Sequence, residues 1–295
     1  MYIIIKGAGD LASGIALRLK HAGFSIVMTE LAQPLAVRRA VCFSQAVYEG
    51  SARVEDISAV LVQNEQQMAQ AFERNEVAVF IDPDASILRT LRDSASPPLV
   101  LIDAIMAKQN TGTAIDDAPV VIGIGPGFTA GIDCHAVIET IRGHTLGRAI
   151  YTGSAAPNTG FPGEVGAYTT ERLLRCGANG IFTGLCDISS TVKKGDVVAL
   201  IRCTPEHSAA AANPEHSTAA VRPGQRSADV PIQAGIDGIV RGLLPSGIHV
   251  TQGMKAGDID PRCDKSNCFT VSDKALSVGG GGLEALLRFM PQNRG

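Results

Sequence analysis

The chain has 295 residues, 26 Lys plus Arg against 29 Asp plus Glu, and a formal net charge of −3. That length suits two domains, and the near balance of charge argues against a protein that grips the phosphate backbone of nucleic acid. Aromatics are 4% with no Trp, which leaves no stacking platform for single strands. No basic, apolar leader and no run of ~18 apolar residues is found, so no signal peptide and no membrane span are expected. The seven Cys, at 42, 134, 176, 186, 203, 263 and 268, are odd in number and scattered. With no export signal they predict free thiols in a cytoplasmic protein. No metal site is expected, because Cys263 and Cys268 have no second pair to complete one.

The first element is a short buried strand, Ile3-Ile4-Ile5-Lys6. Gly7-Ala8-Gly9-Asp10-Leu11-Ala12 follows, then a helix to about Ala22 closed by Gly23, then a second strand from Ser25 to Glu30. Gly7 permits a tight turn, Gly9 lets backbone approach a phosphate, and Ala12 lets helix pack on strand. The helix start offers N–H groups to an anion. Glu30 lies 21 residues after Gly9, near the ~20 expected of an acid that accepts from a ribose hydroxyl. Asp10 is out of place there unless it points away from a pyrophosphate.

Strands at 59–62, 77–81, 99–102 and 120–124 alternate with helical stretches at 65–74 and 85–92. This predicts an α/β first domain over residues 1–128, a Rossmann-like parallel sheet with helices on both faces and ligand sites beyond the strand ends. Glu30, Asp82, Asp103 and Gly125 to Gly127 all fall at such ends. Asp82 precedes Pro83 and reads as a turn former. Lys108 reads as solvated. Gly125-Pro126-Gly127 is either an anion nest or a plain linker turn.

Residues 132–142 hold Asp133, Cys134, His135, Glu139 and Arg142. β-Branching at 137, 138, 140 and 141, with Gly143 and Gly147 beyond, favours a hairpin that returns through Arg148 to Tyr151. On that reading His135 and Glu139 share a face and can serve as acid/base or polar ligands. Cys134 and His135 face opposite ways and form no dyad.

Residues 129–295 read as a β-rich, barrel-sandwich-like domain. At an offset of 58, six of sixteen positions are identical, including Gly180-Ile181 with Gly238-Ile239 and Gly195 with Gly253. Two repeat units, about 180–204 and 238–262, follow. Between them, 205–229 holds Pro-Glu-His-Ser twice among Ala, Pro and Ser, and is read as a disordered insertion. Residues 257–262 read as a charged turn. Asp273-Lys274-Ala275 resembles a lipoyl acceptor motif but lies outside both units. Gly279 to Gly282 then precedes a closing helix from Leu283 to Met290, as an anion site or a flexible joint.

Several stretches together carry a family resemblance: Gly7 to Gly14, Thr29 to Arg39, Gly125 to Phe128, Val137 to Thr140 with Arg142-Gly143-His144, Gly257 to Arg262, and Ser272 to Ala275. On these the chain resembles the YqeB-type family of selenium-dependent molybdenum hydroxylase system proteins. Its first domain is similar to the Rossmann domain of the XdhC/CoxI chaperones. The resemblance implies an accessory factor in maturation of a selenium-dependent molybdenum hydroxylase, with that enzyme as client partner. The ligand expected is a small nucleotide-bearing one, molybdenum cofactor or NAD(P). Gly7, Gly9, Asp10, Ala12, Gly125 and Gly127 would surround its phosphates, Glu30 its ribose, and His135, Glu139, Arg142 and His144 its reactive end or a partner. The rival reading is an NAD(P)-dependent oxidoreductase with His135 as proton donor. Whether the chain is an enzyme stays open.

Overall fold

The computed structural model describes residues 2–92, 100–158, 160, 167–203 and 229–290. Two compact units divide the chain: Met1–Gly160 with Phe269–Gly295, and Phe161–Cys268.

The first unit is built on one sheet. Its strands are β1 (Tyr2–Lys6), β2 (Ser25–Glu30), β3 (Ser51–Val54), β4 (Ile57–Leu61), β5 (Val77–Ile81), β6 (Val100–Asp103), β7 (Val120–Ile124), β9 (Ala136–Ile138) and β10 (Ala149–Ile150). Their order is β10-β9-β7-β6-β1-β2-β5-β4-β3. The inner strands are parallel, while β3/β4 and β9/β10 pair antiparallel at the two edges. A further short pair, β8 (Thr129–Ala130) with β11 (Gly153–Ser154), stands beside it.

The expected Rossmann-like parallel sheet is therefore corrected to a large mixed sheet. β5 is inserted between β2 and β4, so the third parallel strand in chain order does not neighbour the second. The β6–β7 and β7–β9 links carry no helix among the described residues. The edges turn antiparallel because short links, such as 55–56 with Glu55 at φ +53°, reverse the chain at once.

The strand alternation sorts the core into two layers. Ile3, Ile5, Ile26 and Met28 face α1 (Asp10–His21). Tyr2, Ile4 and Val27 face α3 (Glu65–Glu73) and α4 (Ile87–Arg92), which supply Met68, Ala71, Leu88 and Leu91. A one-turn helix, α2 (Ala46–Glu49), leads into β3. Helix α1 forms because Ala12, Ile15, Ala16 and Leu19 make one buried stripe. It stops in a Schellman motif, with Gly23 at φ +90° and bonds from Gly23 N–H to the Lys20 carbonyl and Phe24 N–H to the Leu19 carbonyl.

The last helix, α5 (Asp273–Phe289), runs through the glycine tetrad. It belongs to the first unit, as do β9 and β10, so the boundary expected after residue 128 is corrected. The tetrad is neither a joint nor a loop. A Cβ on Gly279 would lie 2.7 Å from the Gly14 carbonyl oxygen of α1, and one on Gly281 would overlap the Gly147 carbonyl. Bare backbone lets α5 lie directly on α1 and on the turn before β10. The pairing of Gly14 with Ala275, and of Arg18 with Gly279, makes the two helices parallel, with their N-termini side by side.

The second unit holds β12 (Leu173–Arg175), β13 (Gly180–Gly184), β14 (Thr191–Val192), β15 (Val197–Arg202), β16 (Val230–Gln233), β17 (Gly238–Leu243), β18 (His249–Val250) and β19 (Lys255–Asp260). The offset of 58 maps β13, β14 and β15 onto β17, β18 and β19. Gly180 and Gly238 have φ of +158° and +159°. The copies exchange strands. One sheet is β16-β15-β13-β18 and the other is β12-β19-β17-β14, so each takes strands from both copies. Residues 257–260 are strand, not turn, and Asp258 and Asp260 in it are buried. The insertion at 205–229 lies outside the described residues but for Asp229.

Candidate functional site

The described residues offer no cluster of His, Cys, Asp or Glu that would hold a metal ion. No described helix is long and apolar enough to cross a membrane. None of the seven cysteines is in a disulfide. Burial pushes the Cys134 thiol up to about 11, away from thiolate chemistry.

The candidate site gathers where β1 and β2 end and α1 and α5 begin. Gly7, at φ +92°, makes the turn out of β1 and gives its N–H to the Thr29 carbonyl. A Cβ there would press on the Ala104 carbonyl oxygen at 3.1 Å. Gly9 is the residue before α1, in extended backbone with no side-chain cap. A Cβ on Gly9 would meet nothing within 4 Å. The first backbone bond into the helix is Ser13 N–H to the Gly9 carbonyl, so the N–H groups of Asp10, Leu11 and Ala12 stand at an uncapped, partly positive terminus. Ala12 is buried and sets the closeness of helix to sheet.

Glu30 does not stand open to a ribose. Its carboxylate accepts from Ala8 N–H at 2.9 Å and Leu31 N–H at 2.8 Å, so it fastens the glycine turn to the end of β2. Burial raises its pKa, with those two bonds pulling the other way. Asp10 is turned aside by Arg38, whose guanidinium reaches it at 3.2 Å and donates to the Thr270 carbonyl at 3.0 Å. That removes the objection to a carboxylate beside an anion seat.

Four further side chains close around the same place. Arg142 grips Asp273, in the first turn of α5, through two bonds of 2.8 and 3.0 Å. Glu139 is buried, and three backbone N–H groups occupy it: Thr140 and Ile141 at 2.7 Å each, and Ala156 at 2.8 Å. It braces the loop rather than waiting as an acid or base. Lys274 is the fourth, half-buried, and its field is shared with Arg142, Asp10, Glu139 and Asp273. Burial, then Arg142, lowers its pKa. It sits on a helix, not on the hairpin a lipoyl acceptor needs.

The structure does not bring His135 here. Its Nδ1 accepts from Val121 N–H at 3.0 Å, near the start of β7, and its ring meets Phe289 edge-on. Residues 135 and 139 do flank one strand, but at opposite ends, about 13 Å apart at ~3.3 Å per residue. The rival oxidoreductase reading loses its proton donor. His144 is exposed and takes no part in the cluster. Gly125 and Gly127 are packing glycines. Gly125 N–H is committed to the Ile138 carbonyl at 2.8 Å, and a Cβ on Gly127 would lie 2.6 Å from the Gln109 backbone. Of the two readings of that turn, the anion nest loses one of its N–H groups. Asp82 caps the start of α4, accepting from Ser86 N–H at 2.9 Å and Ile87 N–H at 2.8 Å. Asp103 is buried in a pair with Lys6 at 3.3 Å, bridged by Thr113.

Sequence reasoning missed Lys6, Arg38 and Lys274 as parts of this region. Arg38 and Lys274 do lie in stretches that carried the resemblance, which was the available signal.

No protein-family model matches the chain. Among solved structures, an aspartoacylase family protein from Mesorhizobium loti is similar at 14% identity and TM-score 0.26, over 88% of this chain and 84% of that one. A succinylglutamate desuccinylase from Silicibacter sp. is similar at 12% identity and TM-score 0.24, with the same coverage. Likeness that slight carries no argument about this chain. Among curated proteins, the uncharacterized protein YqeB of Escherichia coli K12 is 45% identical over 290 residues, which are 98% of this chain and 48% of YqeB. The chain is thus a homologue of YqeB, and it spans about half of that relative's length.

Proposed function

We propose that this chain seats a phosphate-bearing ligand of the nucleotide class on the first turn of α1, and serves as an accessory factor in maturation of a molybdenum hydroxylase. The observation that carries the ligand part is the uncapped helix start with open space over Gly9. Free N–H groups and the helix dipole favour an anion there. Removal of Asp10 by Arg38 supports the same reading. The maturation part rests on the resemblance set out above. The client enzyme and the nucleotide-bearing form of molybdenum cofactor belong to it.

Thermal-shift titration of the full chain with CTP, NAD(H), NADP(H) and isolated molybdenum cofactor tests the ligand part. A ligand at ~100 times its Kd adds ~2.7 kcal/mol. Gly9→Asp is the matched control. Asp is a better residue than Gly before a helix by a few tenths of a kcal/mol, and Gly9 has the room for it. The variant therefore keeps its fold and fills the seat with a carboxylate. No shift with any ligand in the wild-type chain, or an equal shift in Gly9→Asp, sinks the reading.

A further inference from the structure

We propose that Lys274 is a ligand-contacting cation of this site, its ammonium group binding an anionic oxygen of a phosphate seated over α1. This rests on the ligand reading above and adds to it a residue on a second helix.

Three observations carry it. First, place: Lys274 is in the first turn of α5, α5 lies parallel to α1 and in contact with it, and the charge of Asp10, the first residue of α1, acts on the amine. Second, partners: the carboxylates that share its surroundings are already engaged. Asp10 is held by Arg38 at 3.2 Å, Asp273 by Arg142 at 2.8 Å, and Glu139 by three backbone N–H groups. Lys274 makes no hydrogen bond or ion pair among the described residues. Its three donors are unused, whereas each of the two arginines is already paired with a carboxylate. Third, charge: with Asp10 set against Arg38 and Asp273 against Arg142, the remaining opposite charges are those of Lys274 and Glu139, and the oxygens of Glu139 are already taken by backbone N–H groups.

A half-buried ammonium without a partner is held at a cost. Burial and Arg142 both press it toward the neutral amine. A phosphate arriving over α1 would offset that cost. The same logic gives the site a preference for anions over neutral ligands of equal size.

The test joins binding to residue-level chemistry. Inorganic pyrophosphate and CTP are titrated against the wild type, Lys274→Gln and Lys274→Arg. In parallel, lysines are pulse-acetylated with and without ligand and read by peptide mass spectrometry, with exposed Lys193 and Lys194 as references. The expected result is at least 10-fold weaker binding in Lys274→Gln, recovery to within about 3-fold in Lys274→Arg, and ligand protection of Lys274 but not of the references. Wild-type binding retained in Lys274→Gln, or no protection of Lys274 while ligand binds, overturns the inference and leaves the ligand reading standing. No binding by the wild type overturns the ligand reading itself, and this inference with it. Unperturbed melts of both variants show that the losses are not unfolding.

Discussion

Two adjacent glycines of α5 should respond to the same substitution with opposite signs. Gly→Ala inside an exposed helix stabilises by about 1 kcal/mol, through backbone entropy. Gly280 is exposed and a Cβ there meets nothing within 4 Å. Gly280→Ala should therefore gain the full ~1 kcal/mol. Gly281 carries the same intrinsic gain. Its Cβ, however, would overlap the Gly147 carbonyl oxygen and lie 2.9 Å from Ile138 Cγ2. Backbone cannot swing aside as a side chain can, so the overpacking cost belongs at the upper end of the usual range, about 3 kcal/mol. Net of propensity, Gly281→Ala should lose about 2 kcal/mol. Neighbouring positions then differ by roughly 3 kcal/mol, or on the order of 10 °C in Tm at 2–4 °C per kcal/mol. Thermal melts followed by far-ultraviolet circular dichroism would measure both. A Gly281→Ala protein as stable as Gly280→Ala would show that α5 does not seat on the turn at Gly147.

Two further outcomes follow from the buried charges. Lys6→Met leaves the buried Asp103 carboxylate with Thr113 and the Ile105 N–H but no cation, and should cost about 3 kcal/mol in urea unfolding; a loss under 1 kcal/mol would mean that water reaches the pair. Asp258 is almost wholly buried. Burial alone would raise its pKa, but Lys255, Arg241 and Arg172 outweigh it and hold the carboxyl below 3.8. A depressed carboxyl adds stability above its unfolded pKa and loses it as pH falls through the folded one. The second unit should hold its stability down to about pH 4 and lose it below. Asp258→Asn should flatten that acid limb in denaturant melts, and an unchanged limb would count against the network.

The local grammar of the chain was legible. The run from Ile3 to Glu30 gave strand, turn, helix and strand, because each apolar period, glycine and cap agreed. The 58-residue repeat was legible too, since it needs only identity at a fixed spacing. Long-range choices were not. Gly is the poorest helix former after Pro, and a helix through four in a row is explained by the backbone against which Gly279 and Gly281 press, at Gly14 and Gly147. Alternation told that residues 135 and 139 share a side of a strand, but not that Val121 would hold one at its start while backbone N–H groups claimed the other at its end. Glu30 and Glu139 have the residue types of a ligand site, and the structure assigns them to backbone bracing. Lys274 had no signal of composition or period, because its standing comes from what its neighbours are already bound to.

The exchange of strands between the two repeat copies bears on the order in which the chain can be completed during synthesis. The β16-β15-β13-β18 sheet needs residues from 180 to 250, and the β12-β19-β17-β14 sheet needs residues from 173 to 260. A nascent chain ending at 230 has all of the first copy and neither sheet. The first unit waits longer still, since α1 stays bare on one flank until α5 emerges with residues 273–289. Half-made chains therefore expose apolar strand edges and a bare helix flank for most of translation, and that is the state in which chaperone capture or aggregation is decided.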